Sequence, residues 1–338
     1  MEIGKRIELL DYARILCVFL VVYAHFYMPD TSERLYIYAF HMPLFFFVSG
    51  ILHKQRSLKV GFEKYTKTLL IPFLYFTIVY ICANSLWRTI VSESNDFFLY
   101  RFASYVYVSI KHLFLGLILD KQIPNEPVWF LLSLFYCHLA LDLMLKKRNL
   151  FLTVYLSVFV LALYIGKLPF FIDAALMAFP FFALGYYVKD IINFFSNISV
   201  YRSVFLSIIL FFCSLLISNY NGKISMFSFV FGVQEKFLSV LLFYVNALIG
   251  IIGVLFIANA LQKMFKNTNL HIRLRKMSPT LISIVGFQAF WIEFFISFFG
   301  ENMNNVLCVF ITILTWLLCM FMHKVTTNYY PFLVGQRT

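Results

Sequence analysis

Arg14 and His25 stand eleven positions apart in the otherwise apolar run Arg14-Ile-Leu-Cys-Val-Phe-Leu-Val-Val-Tyr-Ala-His25. On an α-helix, eleven residues turn through about 1100°, within about 20° of three full turns, and rise roughly 16 Å. The two side chains therefore share a face, separated by about half the hydrocarbon thickness of a bilayer. Ionisable groups inside a bilayer are costly, so two of them aligned on one stripe point to a site. A neutral imidazole can take a proton from a hydroxyl. A guanidinium fork suits phosphate or carboxylate, and Asp11, one turn before Arg14, is placed to pair with it and orient it. The plainer alternatives are a histidine hydrogen-bonded within a helix bundle and an arginine snorkelling to the headgroups.

The second apolar run carries His41-Met-Pro-Leu-Phe-Phe-Phe-Val-Ser49-Gly50. If it returns antiparallel to the first, His41 comes near the depth of His25. Pro43 frees a backbone carbonyl, and the small pair Ser49-Gly50 allows close helix packing. The loop that follows holds Lys54, Arg56, Lys64 and Lys67. Positive-inside topology explains that loop; neutralisation of a phosphate-bearing ligand is the functional alternative. Asn125 and Trp129 open the fourth span, where Trp129 is either an interface anchor or, with Asn125, a contact for sugar. His138 and Asp142 stand at i, i+4 and are read as a structural pair. Asp173 and Glu293 are isolated acids within apolar runs.

These residues need a frame, and the composition supplies it. The 338 residues are 62% hydrophobic and 13% charged, with mean hydropathy +0.82. Apolar runs recur from end to end, which defines an all-α polytopic membrane protein. Ten spans are predicted: 13–28, 35–52, 69–83, 127–145, 150–165, 168–188, 203–218, 237–261, 280–299 and 306–323. The first is expected to be retained, because no small-residue cleavage site follows it. With the N-terminus in the cytoplasm, nineteen Lys and Arg residues fall on the inner side and eight on the outer. Both termini are therefore expected to be cytoplasmic. The same distribution explains the net charge of +12 without nucleic acid. Segment 84–126 is expected at the outer face, its apolar part 97–119 lying on the membrane or dipping into it. An eleventh span there would reverse everything after it. The chain reads as one integral-membrane domain over residues 1–338.

Other chemistries find no footing. The six cysteines form no CxxC or Cys/His zinc pattern, so no metal is expected. No HExxH, P-loop, GxSxG or dinucleotide glycine motif is present.

Leu-Asp11-Tyr-Ala-Arg14…His25 resembles the first-span signature of the membrane-bound acyltransferase-3 family. Phe40-His41-Met-Pro-Leu-Phe-Phe-Phe-Val-Ser-Gly50 is similar to the second-span motif of its subgroup related to enterobacterial-common-antigen acetyltransferases and fucose acetylase-like proteins. The run to Lys67-Thr-Leu-Leu-Ile-Pro72, Val-Trp129-Phe-Leu and Phe179-Pro-Phe-Phe-Ala-Leu-Gly185-Tyr are similar to later landmarks, in order. The chain departs from the pattern at Gln288, near where relatives often carry a histidine, and at Lys64 and Lys67, where they often carry arginines.

The resemblance implies an O-acetyltransferase of the bacterial inner membrane, moving acetyl from cytoplasmic acetyl-CoA to an envelope glycan or its lipid-linked precursor. It implies His25 as general base, or as a covalent acyl carrier, with Arg14 and Asp11 at the donor arm. His41, Ser49, Asn125 and Trp129 would contact the acceptor, and Lys54, Arg56, Lys64 and Lys67 the CoA phosphates. Its rivals are a transporter or flippase for a lipid-linked glycan and a transferase of another acyl group such as succinyl.

Overall fold

The computed structural model describes residues 7–26, 31–92, 96–120, 122–222, 226, 236–300 and 303–336. The helices are α1 (Glu8–Ala24), α2 (Ser32–Ile51), α3 (Leu58–Tyr65), α4 (Ile71–Val91), α5 (Phe98–Leu115), α6 (Trp129–Met144) and α7 (Arg148–Ile165). There follow α8 (Ile172–Tyr187), α9 (Ile191–Ser196), α10 (Val200–Asn221), α11 (Lys236–Phe265), α12 (Asn269–Met277), α13 (Leu281–Phe299) and α14 (Asn305–Tyr329). A π-turn over Thr66–Leu70 makes α3 and α4 one continuous rod. Polar caps start several helices: Ser57, Ser199 and Asn304 each accept from a backbone N–H of the first turn of the helix that follows, satisfying an otherwise orphaned donor.

Among the described residues, ten helical stretches are long and apolar enough to cross a membrane. Nine coincide with predicted spans. The tenth is Phe98–Leu119, within the segment assigned to the outer face. The predicted first span is α1, whose 17 residues fall just short of that length; its predicted end at Met28 lies outside the described residues.

A contact at the far end of α6 decides whether α5 reverses the topology. His53, just beyond α2, bonds Asp142 in the last turn of α6. Hence α2 and α6 end on the same side. The α3–α4 rod leaves that side and α6 returns to it, so α5 does not add a complete crossing between them. It packs mainly on α4 and leaves Tyr100, Tyr107, Phe114 and Leu119 exposed.

The tightest helix contact joins α2 to α8, which run parallel. A Cβ on Gly50 would lie 1.9 Å from the Phe182 carbonyl oxygen, and one on Gly185 would lie 2.0 Å from that of Phe47. Each glycine is thus an empty notch filled by the other helix's backbone, the small-residue mode of packing in lipid. No side-chain rotation relieves such a clash, because the obstacle is main chain. Gly185→Val is expected to separate α2 from α8 and abolish the monodisperse peak in detergent size-exclusion chromatography. A peripheral change, Leu156→Ala on the exposed face of α7, is expected to leave the peak in place.

Candidate active site

α1 is unbroken between Arg14 and His25, and His25 caps it with helical φ −72° and ψ −15°. Between them on the same face lie Val18 and Val21, both buried. Two polar ends joined by an apolar middle are thus carried on one rigid element.

At the Arg14 end, the guanidinium donates to the Asp11 carboxylate at 2.5 Å and to the Ser278 hydroxyl at 3.0 Å. Ser278 in turn donates to the same Asp11 oxygen at 2.6 Å. The Arg14 side chain remains 30% exposed, whereas that of Asp11 is 3% exposed. Arginine in this state is held inside a network rather than snorkelling. A pocket of about 300 Å³ opens beside it, lined by Ile7, Leu10, Asp11, Arg14, Leu52, Ser278 and Pro279. Leu52 leads directly into the basic loop, so Lys54 and Arg56 stand next to this mouth in the chain. Nearby, Glu8 pairs with Arg275 at 3.3 Å and with His271 at 3.5 Å, and Tyr12 reaches His271 Nδ1 at 3.1 Å. These contacts moor the start of α1 to α12.

At the other end, Tyr38 joins the two histidines. Its hydroxyl lies 3.3 Å from His25 Nδ1, and its ring centroid lies 4.8 Å from that of His41. The Arg34 guanidinium sits 4.9 Å above the Tyr38 ring. His41 Nδ1 is 2.9 Å from the Ile37 carbonyl; a carbonyl only accepts, so this nitrogen carries the proton and Nε2 is the acceptor when the ring is neutral. Cys17 Sγ donates to the His41 carbonyl at 3.2 Å, tying α1 to α2 at this depth. The sequence reading placed both histidines here but omitted Tyr38. Its position three residues before His41, on the same helical face, was the available signal.

The remaining predicted site residues divide. Ser49 lies two turns along α2 from His41, towards the Arg14 end. Asn125 is wholly buried and donates to the carbonyls of Phe76 and Gly286 at 3.1 and 2.9 Å. That geometry is a clamp between α4 and α13. Trp129 is not an interface anchor: it is buried, with its ring between Phe46 and Phe171. Phe171 itself holds φ +59° beside Phe170 at +55°, a left-handed pair that is strained for aromatic residues. Lys54 and Lys67 are exposed, and Lys64 sits 5.3 Å from the Tyr65 ring centroid.

His138 and Asp142 do not meet as the predicted i, i+4 pair; both turn to His53. His53 Nε2 donates to Asp142 Oδ1 at 3.2 Å, so its Nδ1 accepts from His138 Nδ1 at 2.8 Å. The Arg56 backbone N–H donates to the same carboxylate oxygen at 2.9 Å, and Lys189 Nζ donates to the His53 carbonyl at 3.0 Å. Asp142 therefore fixes the course of the basic loop. Glu293 also has partners: Tyr80 donates to it, as does Asn84 at 2.9 Å. Asp173 accepts from the backbone of Leu168 and Ala174. Ser283 and His323 form a buried pair, 2.7 Å from oxygen to Nδ1, which sequence spacing did not reveal.

A bundle of apolar helices of this length and composition defines an all-α polytopic membrane protein. Residues 7–324 match the domain model of the acyltransferase-3 family, described as an acyltransferase domain. The chain belongs to that family and is a multi-pass membrane acyltransferase. Comparison with curated proteins and with solved structures gave no match.

Burial pulls the pKa of His53 below its ordinary value, against the opposing pull of Asp142. A histidine depressed in the folded state contributes stability above its unfolded pKa of about 6.5 and loses it as pH falls below. Thermal unfolding in detergent is expected to show a lower Tm at pH 5.5 than at pH 7.5. His53→Gln, which cannot titrate, should show a smaller difference.

Proposed function

We propose that the protein transfers acetyl from acetyl-CoA to a hydroxyl of an envelope polysaccharide or its lipid-linked precursor, as in the subgroup related to enterobacterial-common-antigen acetyltransferases. The observation that carries this reading is the division of labour along α1. One end holds a guanidinium beside a pocket of about 300 Å³, and the other holds an imidazole hydrogen-bonded to Tyr38. In this reading the Arg14 end and the basic loop face the cytoplasm of a bacterium, and His25 faces the outer half of its inner membrane.

The donor's phosphates would lie against Lys54, Arg56, Lys64 and Lys67, with Arg14 at the entry of the pantetheine arm. Asp11 and Ser278 hold that guanidinium in place. Neither is needed as a nucleophile. The arm then extends along α1 and brings the thioester to His25, a distance of roughly 16 Å on the helix.

His25 acts through the tautomer in which Nδ1–H donates to the Tyr38 oxygen, leaving the Nε2 lone pair free. Nε2 takes the proton of the acceptor hydroxyl as its oxygen forms a bond to the thioester carbon. Collapse of the tetrahedral adduct breaks the C–S bond, and the proton on Nε2 passes to the leaving thiolate. The products are an O-acetyl ester and CoA, with His25 restored. Tyr38 positions the ring, and His41, with Nε2 as acceptor, is placed to receive a hydrogen bond from the acceptor sugar. The direct route requires no covalent acyl-histidine.

Purified protein in liposomes, given labelled acetyl-CoA and a glycan extract, is expected to move label into glycan. His25→Ala should lower that transfer by at least about a hundredfold while CoA binding persists. Arg14→Ala should instead raise the KM for donor. Tyr38→Phe, which keeps the ring and removes its hydroxyl, should lower kcat about tenfold with donor KM unchanged. Label that stays out of glycan with wild-type protein, or normal transfer by His25→Ala, overturns this reading.

A further inference from the structure

Gln288 is wholly buried on α13, and neither its amide oxygen nor its nitrogen has a hydrogen-bond partner among the described residues. Burying an unsatisfied polar group is unfavourable, and this side chain leaves both ends unsatisfied. Methionine or leucine would fill the same space without that penalty. An orphaned group of this kind in a close-packed bundle calls for an explanation in function.

Its position supplies one. Ser278, three residues before α13 begins, bonds Arg14 and Asp11. Ten residues further on, about 15 Å along the helix, Gln288 comes to the level of the outer turns of α1, just short of His25. Around α13, Ser283 turns to α14 and Glu293 to α4. Gln288 lies instead on the arc it shares with Ile284 and Ile292 at i ± 4, both buried. Of the long helices that pack on α13, α4 and α14 take those other faces, which leaves α1 for this arc. By helical rise and by elimination of the other faces, Gln288 lies towards α1 at a level between the polar pocket and the histidines.

We propose that Gln288 hydrogen-bonds an amide of the acyl donor's arm as that arm lies along α1. A carboxamide with a free N–H and a free C=O is complementary to a secondary amide, which offers one of each. A sugar hydroxyl would leave part of it unmatched. The inference rests on the acyl-CoA reading and adds a residue that selects amide-bearing thioesters. Gln288 touches the arm and not the reacting carbon, so it governs donor affinity and reach rather than proton transfer.

The test uses full-length protein in liposomes and three acetyl thioesters: acetyl-CoA, S-acetyl-N-acetylcysteamine with one amide, and S-acetyl-2-mercaptoethanol with none. Wild type is expected to use the one-amide donor better than the amide-free one. Gln288→Met should erase that preference and weaken acetyl-CoA binding about tenfold, the loss of one or two hydrogen bonds. Gln288→Asn should fall between. The Tm of Gln288→Met should be equal to or above that of wild type, because an unpaired amide has been removed. A purely structural glutamine would give a lower Tm and an intact preference, and that result overturns the inference. So does a wild type indifferent to the amide, or a Gln288→Met variant altered only in acceptor KM. If wild type transfers from no thioester, including acetyl-CoA, the acyl-transfer reading itself fails and this inference falls with it. Should Gln288→Met not fold, the wild-type preference and Gln288→Asn still decide.

Discussion

The three-way bond among Arg14, Asp11 and Ser278 is the constraint on which the rest of the architecture depends. An arginine at the centre of a spanning helix costs about 2.5–3.5 kcal/mol on insertion scales, an upper bound for Arg14, which stands towards one end of its stripe and is 30% exposed. Hydrogen bonds to charged groups contribute about 1.5–3 kcal/mol each, so two partners of this kind are enough to offset the cost. One partner is local, three residues away. The other is 264 residues away in the chain. The network therefore stabilises α1 in the bundle only when the start of α13 is beside it. It sets the depth of both helices together. α1 is short for a span, and it has no need to meet lipid alone: α2, α11, α13 and α14 all pack on it.

α2 transmits this placement to the opposite end of the molecule. It carries Tyr38 and His41 in its first half and delivers His53 just beyond its finish. Between these, the Gly50–Gly185 contact holds it against α8 with backbone touching backbone. A helix locked in this way cannot slide or rotate without a main-chain collision. The imidazole pair at one end and the basic loop at the other are consequently fixed in relation to each other. Asp142 finishes the job at the loop, accepting from both the His53 ring and the Arg56 backbone.

The apolar runs made the fold readable, because a bilayer demands helices of limited length and the chain repeats them. Period alone put Arg14 and His25 on one face, a local property of a single helix. Two kinds of feature escaped. Partners far apart in sequence, such as Ser278 with Arg14 or Ser283 with His323, depend on how helices pack, which no local spacing encodes. Residues of ordinary type were overlooked for the opposite reason: Tyr38 is one of 21 tyrosines, and nothing but its place beside two histidines distinguishes it. Asn125 and Trp129 were singled out by chemical types that suit sugars; the structure adds the packing that spacing did not encode, Asn125 across the Phe76 and Gly286 carbonyls and Trp129 between Phe46 and Phe171. The segment around α5 was ambiguous because length and hydropathy are satisfied by a helix that does not complete a crossing; the distant contact of His53 with Asp142 resolves it.

In the acyl-transfer reading both ends of the reaction lie on one rigid helix, and that has a mechanical consequence. Alternating-access devices move one bundle against another around a central site. Here, in the acyl-transfer reading, nothing in the seam has to rock: the distance from Arg14 to His25 is set by a helical rise, and a flexible donor arm covers it. Specificity then falls to whatever lines the path. A path with only Val18 and Val21 would admit any slender apolar chain. Gln288, with both ends of its amide unmatched, makes an apolar tail leave a buried donor and acceptor unsatisfied and lets an amide pair with both. Discrimination of this kind comes from what the wrong ligand leaves unpaired, and it is stronger than a contact of shape alone. In that reading, the same orphaned side chain that lowers the stability of the empty bundle gives it a means of distinguishing its donor.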